Sequence, residues 1–207
     1  MIEQKLVVGR FITMPPVKNR TIIENLGFKT QGRIRLTIEQ SSGFFTKSSK
    51  VVAGAVGKEH RHFQWLFWIP GFINQVPFEN LDVLTGPMSG CWITKYRIGA
   101  TEYIGHIGTN YQMPAQTIAA KAAWMAFARA NPTAIIGGYQ PRWTGIQPSR
   151  IKGESESDQR TYSLVTTGGY YTVLLYRQPT ITTTYRVAGI QKVNPADTVT
   201  LQTLFTP

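Results

Sequence analysis

Cys91 is the single cysteine of this 207-residue chain, and His106 follows it by fifteen positions. A lone thiol has no internal disulfide partner, so its chemistry is either nucleophilic or absent. It closes the segment Thr85-Gly86-Pro87-Met88-Ser89-Gly90-Cys91. Small residues at Ser89 and Gly90 leave room for a substrate to approach and let successive backbone N–H groups converge on a developing oxyanion. Thiol plus imidazole is the minimum equipment for nucleophilic acyl transfer, and the chemistry expected is that of a thiol amidohydrolase. The competing reading makes Cys91 a small buried hydrophobe and His106 an ordinary hydrogen-bonded strand residue.

The elements around the pair decide whether it can meet. Trp92–Ile98 and Thr101–Ile107 are strand-like and are separated by Gly99-Ala100. Glycine leading a two-residue loop suits a type II′ hairpin. In that register His106 faces Ile93, and Cys91, two residues before Ile93, becomes a diagonal neighbour on the same face. Diagonal Cα atoms lie about 7–8 Å apart, within reach of these side chains. A three-residue loop would put them on opposite faces. The expectation is a solvent-reachable crevice in which sulfur and imidazole meet.

Period-two patterning dominates elsewhere. Ile34, Leu36 and Ile38 alternate with charged and polar residues, and Leu6–Thr13 is a weaker strand candidate. His62–Ile69 is almost continuously apolar, as in a strand covered on both faces. Tyr162–Thr167 and Tyr170–Arg177 flank Gly168-Gly169, a hairpin signal, and strands are expected at Thr182–Ala188 and Thr198–Phe205. Pro114 followed by an Ala-rich run to Ala130, then Asn131-Pro132, predicts one main helix. Its apolar side is Ala120, Ala123, Trp124, Phe127 and Ala130. Ile135-Ile136 begins a strand running into Gly137-Gly138, read as a turn. Ser41–Lys58, Met14–Arg20 and Thr144–Arg160 are expected loops. The fold class is α/β: a β-sandwich-like core of mixed, largely antiparallel sheets, with the helix near 114–130 packed on it, in a single domain over 1–207.

Hydrophobic residues make up 42% and charged residues 16% of the chain, which excludes a disordered, highly charged class. Lys and Arg number 22 against 11 acidic residues, and the formal charge of +11 favours acidic partners. One cysteine argues against a multi-thiolate zinc site. Glu59-His60-Arg61-His62 places two imidazoles on one strand face, too few for a metal site by themselves. Neither metal nor cofactor is expected. Arg33 and Arg35 with the many aromatics would suit a non-enzymatic RNA- or protein-binding module, the alternative from a different class. No signal peptide and no membrane-spanning run is read.

Met88-Ser89-Gly90-Cys91 resembles the Leu-Ser-Gly-Cys signature of the toxin glutamine deamidases, the group of the cytotoxic necrotizing factors and Burkholderia lethal factor. More distantly it resembles the chemoreceptor deamidases. Thr85 stands six residues before the thiol, as a threonine does in some members, and His106 matches the family histidine. Trp65-Leu66-Phe67-Trp68-Ile69-Pro70 is similar to a Trp- and Pro-containing strand upstream of the signature. The likeness spans Trp65 to His106, with Met88 in place of leucine.

It implies hydrolysis of a protein glutamine to glutamate by a toxin or effector, secreted or injected by a bacterium and acting in a target-cell cytosol. Cys91 and His106 are then catalytic, Thr85 supports them by hydrogen bonding, and Ser89 and Gly90 shape the oxyanion turn. The implied partner is the substrate protein, a translation-initiation helicase or a Rho-type GTPase by family precedent. No membrane partner is expected, nucleic acid is expected to be secondary, and a monomer is expected. A thiol protease or transglutaminase would use the same acyl-enzyme logic.

Overall fold

The computed structural model describes residues 6–9, 11–13, 27–30, 35–42, 47–53, 62–79, 81–144, 158–177 and 184–206. Its strands are β1 (Phe11–Thr13), β2 (Gly27–Thr30), β3 (Arg35–Ser42), β4 (Lys47–Ala53), β5 (His62–Leu66), β6 (Phe72–Pro77) and β7 (Asp82–Met88). They continue with β8 (Trp92–Ile98), β9 (Thr101–Ile107), β10 (Ile135–Tyr139), β11 (Gln159–Thr166), β12 (Gly169–Arg177) and β13 (Thr184–Val193). Two α-helices, α1 (Pro114–Ala130) and α2 (Thr198–Gln202), and a 3-10 turn at Pro132–Ala134 complete the set among the described residues.

The protein is sheet-rich, with two mixed sheets and one main helix packed on them, as the patterning predicts. The larger sheet closes on itself as a barrel in the order β1-β13-β12-β11-β7-β5-β3-β4. The parallel β1–β4 pair completes the ring, so that barrel has no open edge. The second sheet runs β10-β8-β9-β6-β2.

Alternation along the strands divides the apolar residues into three layers. Phe63, Trp65, Leu84, Tyr162, Leu164, Val173 and Val187 fill the barrel. Leu66, Val83, Met88 and Val165 on its outside meet Val76, Ile93, Ile104 and Tyr139 of the second sheet. Ile73, Tyr96 and Ile107 on that sheet's other face receive Ala120, Trp124 and Ala128 of α1. β5 therefore contributes to two layers, Phe63 and Trp65 to the barrel interior and Leu66 to the layer outside it. Between barrel and sheet the Tyr139 hydroxyl donates to the Tyr171 carbonyl at 2.6 Å and accepts from the Ser163 hydroxyl at 2.7 Å.

α1 occupies the predicted residues, starting at Pro114, with Arg129 in its last turn favourably placed for the helix dipole. Ala120 and Trp124 are buried as expected, Ala123 and Phe127 are half-buried, and Ala130 is exposed because the buried face runs through Ala120, Trp124 and Ala128, from which it is turned away.

Several local expectations are corrected. Thr198–Phe205 is not a strand. The Asp197 carboxylate accepts from the Thr200 backbone N–H at 2.6 Å and from its hydroxyl at 3.0 Å, capping α2. Leu201 is thereby buried, and its carbonyl accepts from the Trp124 indole at 2.9 Å. Ser41–Lys58 is not a loop throughout, since Ser41 and Ser42 end β3 and β4 returns antiparallel to it. Gly137 and Gly138 are buried members of β10 rather than a turn. The β11–β12 loop is Thr167-Gly168, one residue earlier than expected, because Thr166 pairs with Gly169. Leu6–Gly9 precedes β1 without joining it. Met14–Arg20 and most of Thr144–Arg160 lie outside the described residues. No helix among the described residues is long and apolar enough to cross a membrane.

Candidate active site

The β8–β9 hairpin has the register its turn predicts. Ile98 pairs with Thr101 and Ile93 with His106. Gly99 has φ +60° while Ala100 does not enter positive φ, as a type II′ turn requires. Cys91 directly precedes β8 and shares the Ile93 face, so it is the diagonal neighbour of His106. That face looks toward the barrel, and Cys91 belongs to the apolar layer between barrel and sheet.

From the barrel side, β7 presents Thr85. Its Oγ1 lies 2.8 Å from His106 Nδ1, and both residues are fully buried. The site therefore straddles the junction of the two sheets, with Thr85 on one and Cys91 and His106 on the other. His106 Nε2 is buried and has no hydrogen-bond partner. If Nδ1–H donates to Thr85, Nε2 carries a free lone pair and is competent as a base. If the Thr85 hydroxyl donates instead, Nε2–H is an unsatisfied donor. Either way one buried polar atom is unmatched, at a cost of about 1–3 kcal/mol.

The sulfur is held elsewhere. The Cys91 thiol donates to the Thr109 carbonyl at 3.4 Å, and the Thr109 hydroxyl donates to the sulfur at 3.5 Å. The ring and the thiol are thus on one face without being hydrogen-bonded to each other. Burial pushes the Cys91 thiol up from its ordinary value; the Thr109 hydroxyl and backbone, the Ser89 backbone and the Trp68 side chain oppose the rise. Burial also pushes His106 down to about 3, because the charged imidazolium would lose its hydration on entering the packed layer. The resting pair is a neutral thiol beside a neutral imidazole.

The expected open crevice is corrected: Cys91 is 1% exposed and His106 0%. Leu66, Val76, Met88 and Tyr139 close around them because the site sits in the packed layer between the sheets. Ser89 and Gly90, next to the sulfur in sequence, are exposed. Gly90 has φ +103°, a conformation that favours glycine, and its carbonyl accepts from the half-buried Gln140 side chain at 2.8 Å.

Thr109 and Trp68 carry no motif that marks them in the sequence. Extending the hairpin register one step beyond Trp92–Ile107 sets Cys91 opposite Gly108, so Thr109 could have been found there; Trp68 had no comparable signal. Among the described residues no group of three or more His, Cys, Asp and Glu is placed to hold a metal. Glu59, His60 and Arg61 lie outside the described residues, as does Arg33. A surface hollow lined by Phe28, Arg97, Ile98 and Phe127 sits at the turn end of the hairpin, away from the thiol, and neither Cys91 nor His106 lines it. No family model, no curated protein and no solved structure matches this chain.

Proposed function

We propose that this protein is a thiol amidohydrolase that deamidates a glutamine side chain of a target protein, with Cys91 as nucleophile, His106 as base and Thr85 orienting the imidazole. The observation that carries the reading is the buried Thr85–His106 contact, on the sheet face that bears the sole thiol, with Nε2 left unmatched. Hydrogen-bonding one imidazole nitrogen sets the tautomer and leaves the other to take a proton. The likeness of Met88–Cys91 to the toxin glutamine deamidases supplies the reaction class and the role of a toxin or effector.

In this mechanism His106 Nε2 takes the Cys91 proton as sulfur attacks the carboxamide carbon. The Cys91 N–H and one from the Ser89–Gly90 turn hold the oxyanion, and losing such a donor typically costs about 10²–10³ in rate. The imidazolium then protonates departing ammonia. Water, deprotonated by the same nitrogen, resolves the thioester to glutamate.

The closed geometry constrains when this happens. Burial holds the thiol above its ordinary range and the imidazole down at about 3, so moving the proton inside the sealed site is strongly opposed. Activation therefore accompanies opening: displacing the Ser89–Gly90 turn from Gln140 admits substrate and water, which restore the charged forms. The net +11 charge steers the chain toward an acidic target surface.

The test incubates candidate target proteins with the wild type and with Cys91→Ser. Mass spectrometry should find a glutamine gaining one dalton, amide nitrogen replaced by oxygen, with release of ammonia by the wild type only. Equal conversion by both proteins removes Cys91 from the mechanism, and backbone cleavage or amine incorporation reassigns it to a protease or transglutaminase.

A further inference from the structure

The geometry points to Thr109 as the positioning residue of the nucleophile: its carbonyl parks the thiol hydrogen away from His106, and its hydroxyl stays on the sulfur as a ready donor to the thiolate. This deepens the amidohydrolase reading and rests on it for its catalytic meaning. Two atoms of one residue bracket the sulfur, the carbonyl at 3.4 Å as acceptor and Oγ1 at 3.5 Å as donor. Thr109 is itself only 8% exposed, so water does not replace either contact in the closed state. Its backbone N–H donates to the Ile107 carbonyl at 2.9 Å, at the end of the strand that carries His106. The same short stretch of chain therefore sets the place of the sulfur and of the base.

Activation then has a defined geometric course. The S–H bond turns from the Thr109 carbonyl toward His106 Nε2, the proton passes to that nitrogen, and the electron pair stays on sulfur. The Thr109 hydroxyl, already directed at sulfur, becomes a charge-assisted donor at that moment. Such bonds are roughly twice as strong as neutral ones. Desolvation opposes the thiolate here, and Thr109 contributes the largest opposing influence.

The other titratable groups packed around the sulfur are His106 from β9, Tyr139 from β10 and Tyr170 from β12. The Lys95–Glu102 ion pair lies farther along the same face. All of them are unchanged in the variants below.

A chain with one cysteine gives a single signal when its cysteine is labelled with ¹³C at Cβ, so the thiol can be titrated by NMR without any substrate or reagent reaching it. Thr109→Val keeps shape and removes the hydroxyl; Thr109→Ser keeps the hydroxyl; Thr109→Ala serves where valine disturbs packing. The titration midpoint should rise by about one pH unit in Thr109→Val and Thr109→Ala, and return to within a few tenths of the wild type in Thr109→Ser. Alkylation by iodoacetamide, followed against pH, should show the same displacement, about tenfold slower at a fixed pH below the midpoint. An unchanged or lowered midpoint in the valine and alanine variants overturns the inference, whatever the deamidation assays give. A raised midpoint in a protein that deamidates nothing leaves the inference standing and removes the function proposed above.

Discussion

His106 should make folding stability depend on pH in a way that removing it abolishes. The imidazole is fully buried with a proton affinity lowered to about 3, against an ordinary 6.5 in the unfolded chain. Between those values the unfolded state binds a proton that the folded state refuses, so stability rises with pH through this window and is lost as pH falls. The full difference is about 5 kcal/mol, of which about 2 kcal/mol is lost between pH 7.5 and pH 5.0. Other carboxylates and histidines also titrate, and a paired comparison cancels them. In His106→Asn the amide takes the place of Nδ1 beside Thr85, and the titrating ring is gone. Urea unfolding of wild type and variant at pH 7.5, 6.5, 5.5 and 5.0 gives the stability at each pH from the midpoint and slope. The wild type should lose about 2 kcal/mol more than the variant between the extremes, whichever protein is more stable at neutral pH. Parallel losses would show an imidazole that charges freely in the folded state, and the closed, neutral site would be refuted with it.

Two further substitutions probe the same geometry. Thr85→Val leaves His106 Nδ1 without its 2.8 Å partner and should cost about 1–3 kcal/mol in unfolding free energy. It should also lower deamidation far more than Thr85→Ser does; equal activity in the two variants would make Thr85 a packing residue only. Gln140→Ala releases the tie to the Gly90 carbonyl and should speed alkylation of Cys91 severalfold, while global stability falls by no more than roughly the 0.5–1.5 kcal/mol of that one hydrogen bond. An unchanged alkylation rate would mean that the sulfur is reached by another route.

What is readable from residue order is whatever short-range preferences control. Pairing parity follows from a two-residue turn led by Gly99, so the shared face of Cys91 and His106 is legible in the order of residues alone. α1 is legible for the same reason: Pro114 opens it, the alanine run sustains it and Asn131-Pro132 ends it, all through contacts within a few residues. What lies across from those elements is set by long-range packing instead. Thr85 and His106 are 21 residues apart and on different sheets, so their 2.8 Å contact depends on how the barrel packs against the second sheet. That same packing sealed a site expected to be open, because the face carrying the thiol is also the face that must bury Ile93 and Ile104. In Thr198–Phe205, alternating apolar residues fit a strand as well as a helix over so short a stretch. The Asp197 cap and the burial of Leu201 beside Trp124 settled it. Periodicity is a property of neighbours along the chain; which face is covered, and whether a thiol beneath it meets water, is set by residues that are neighbours only in space.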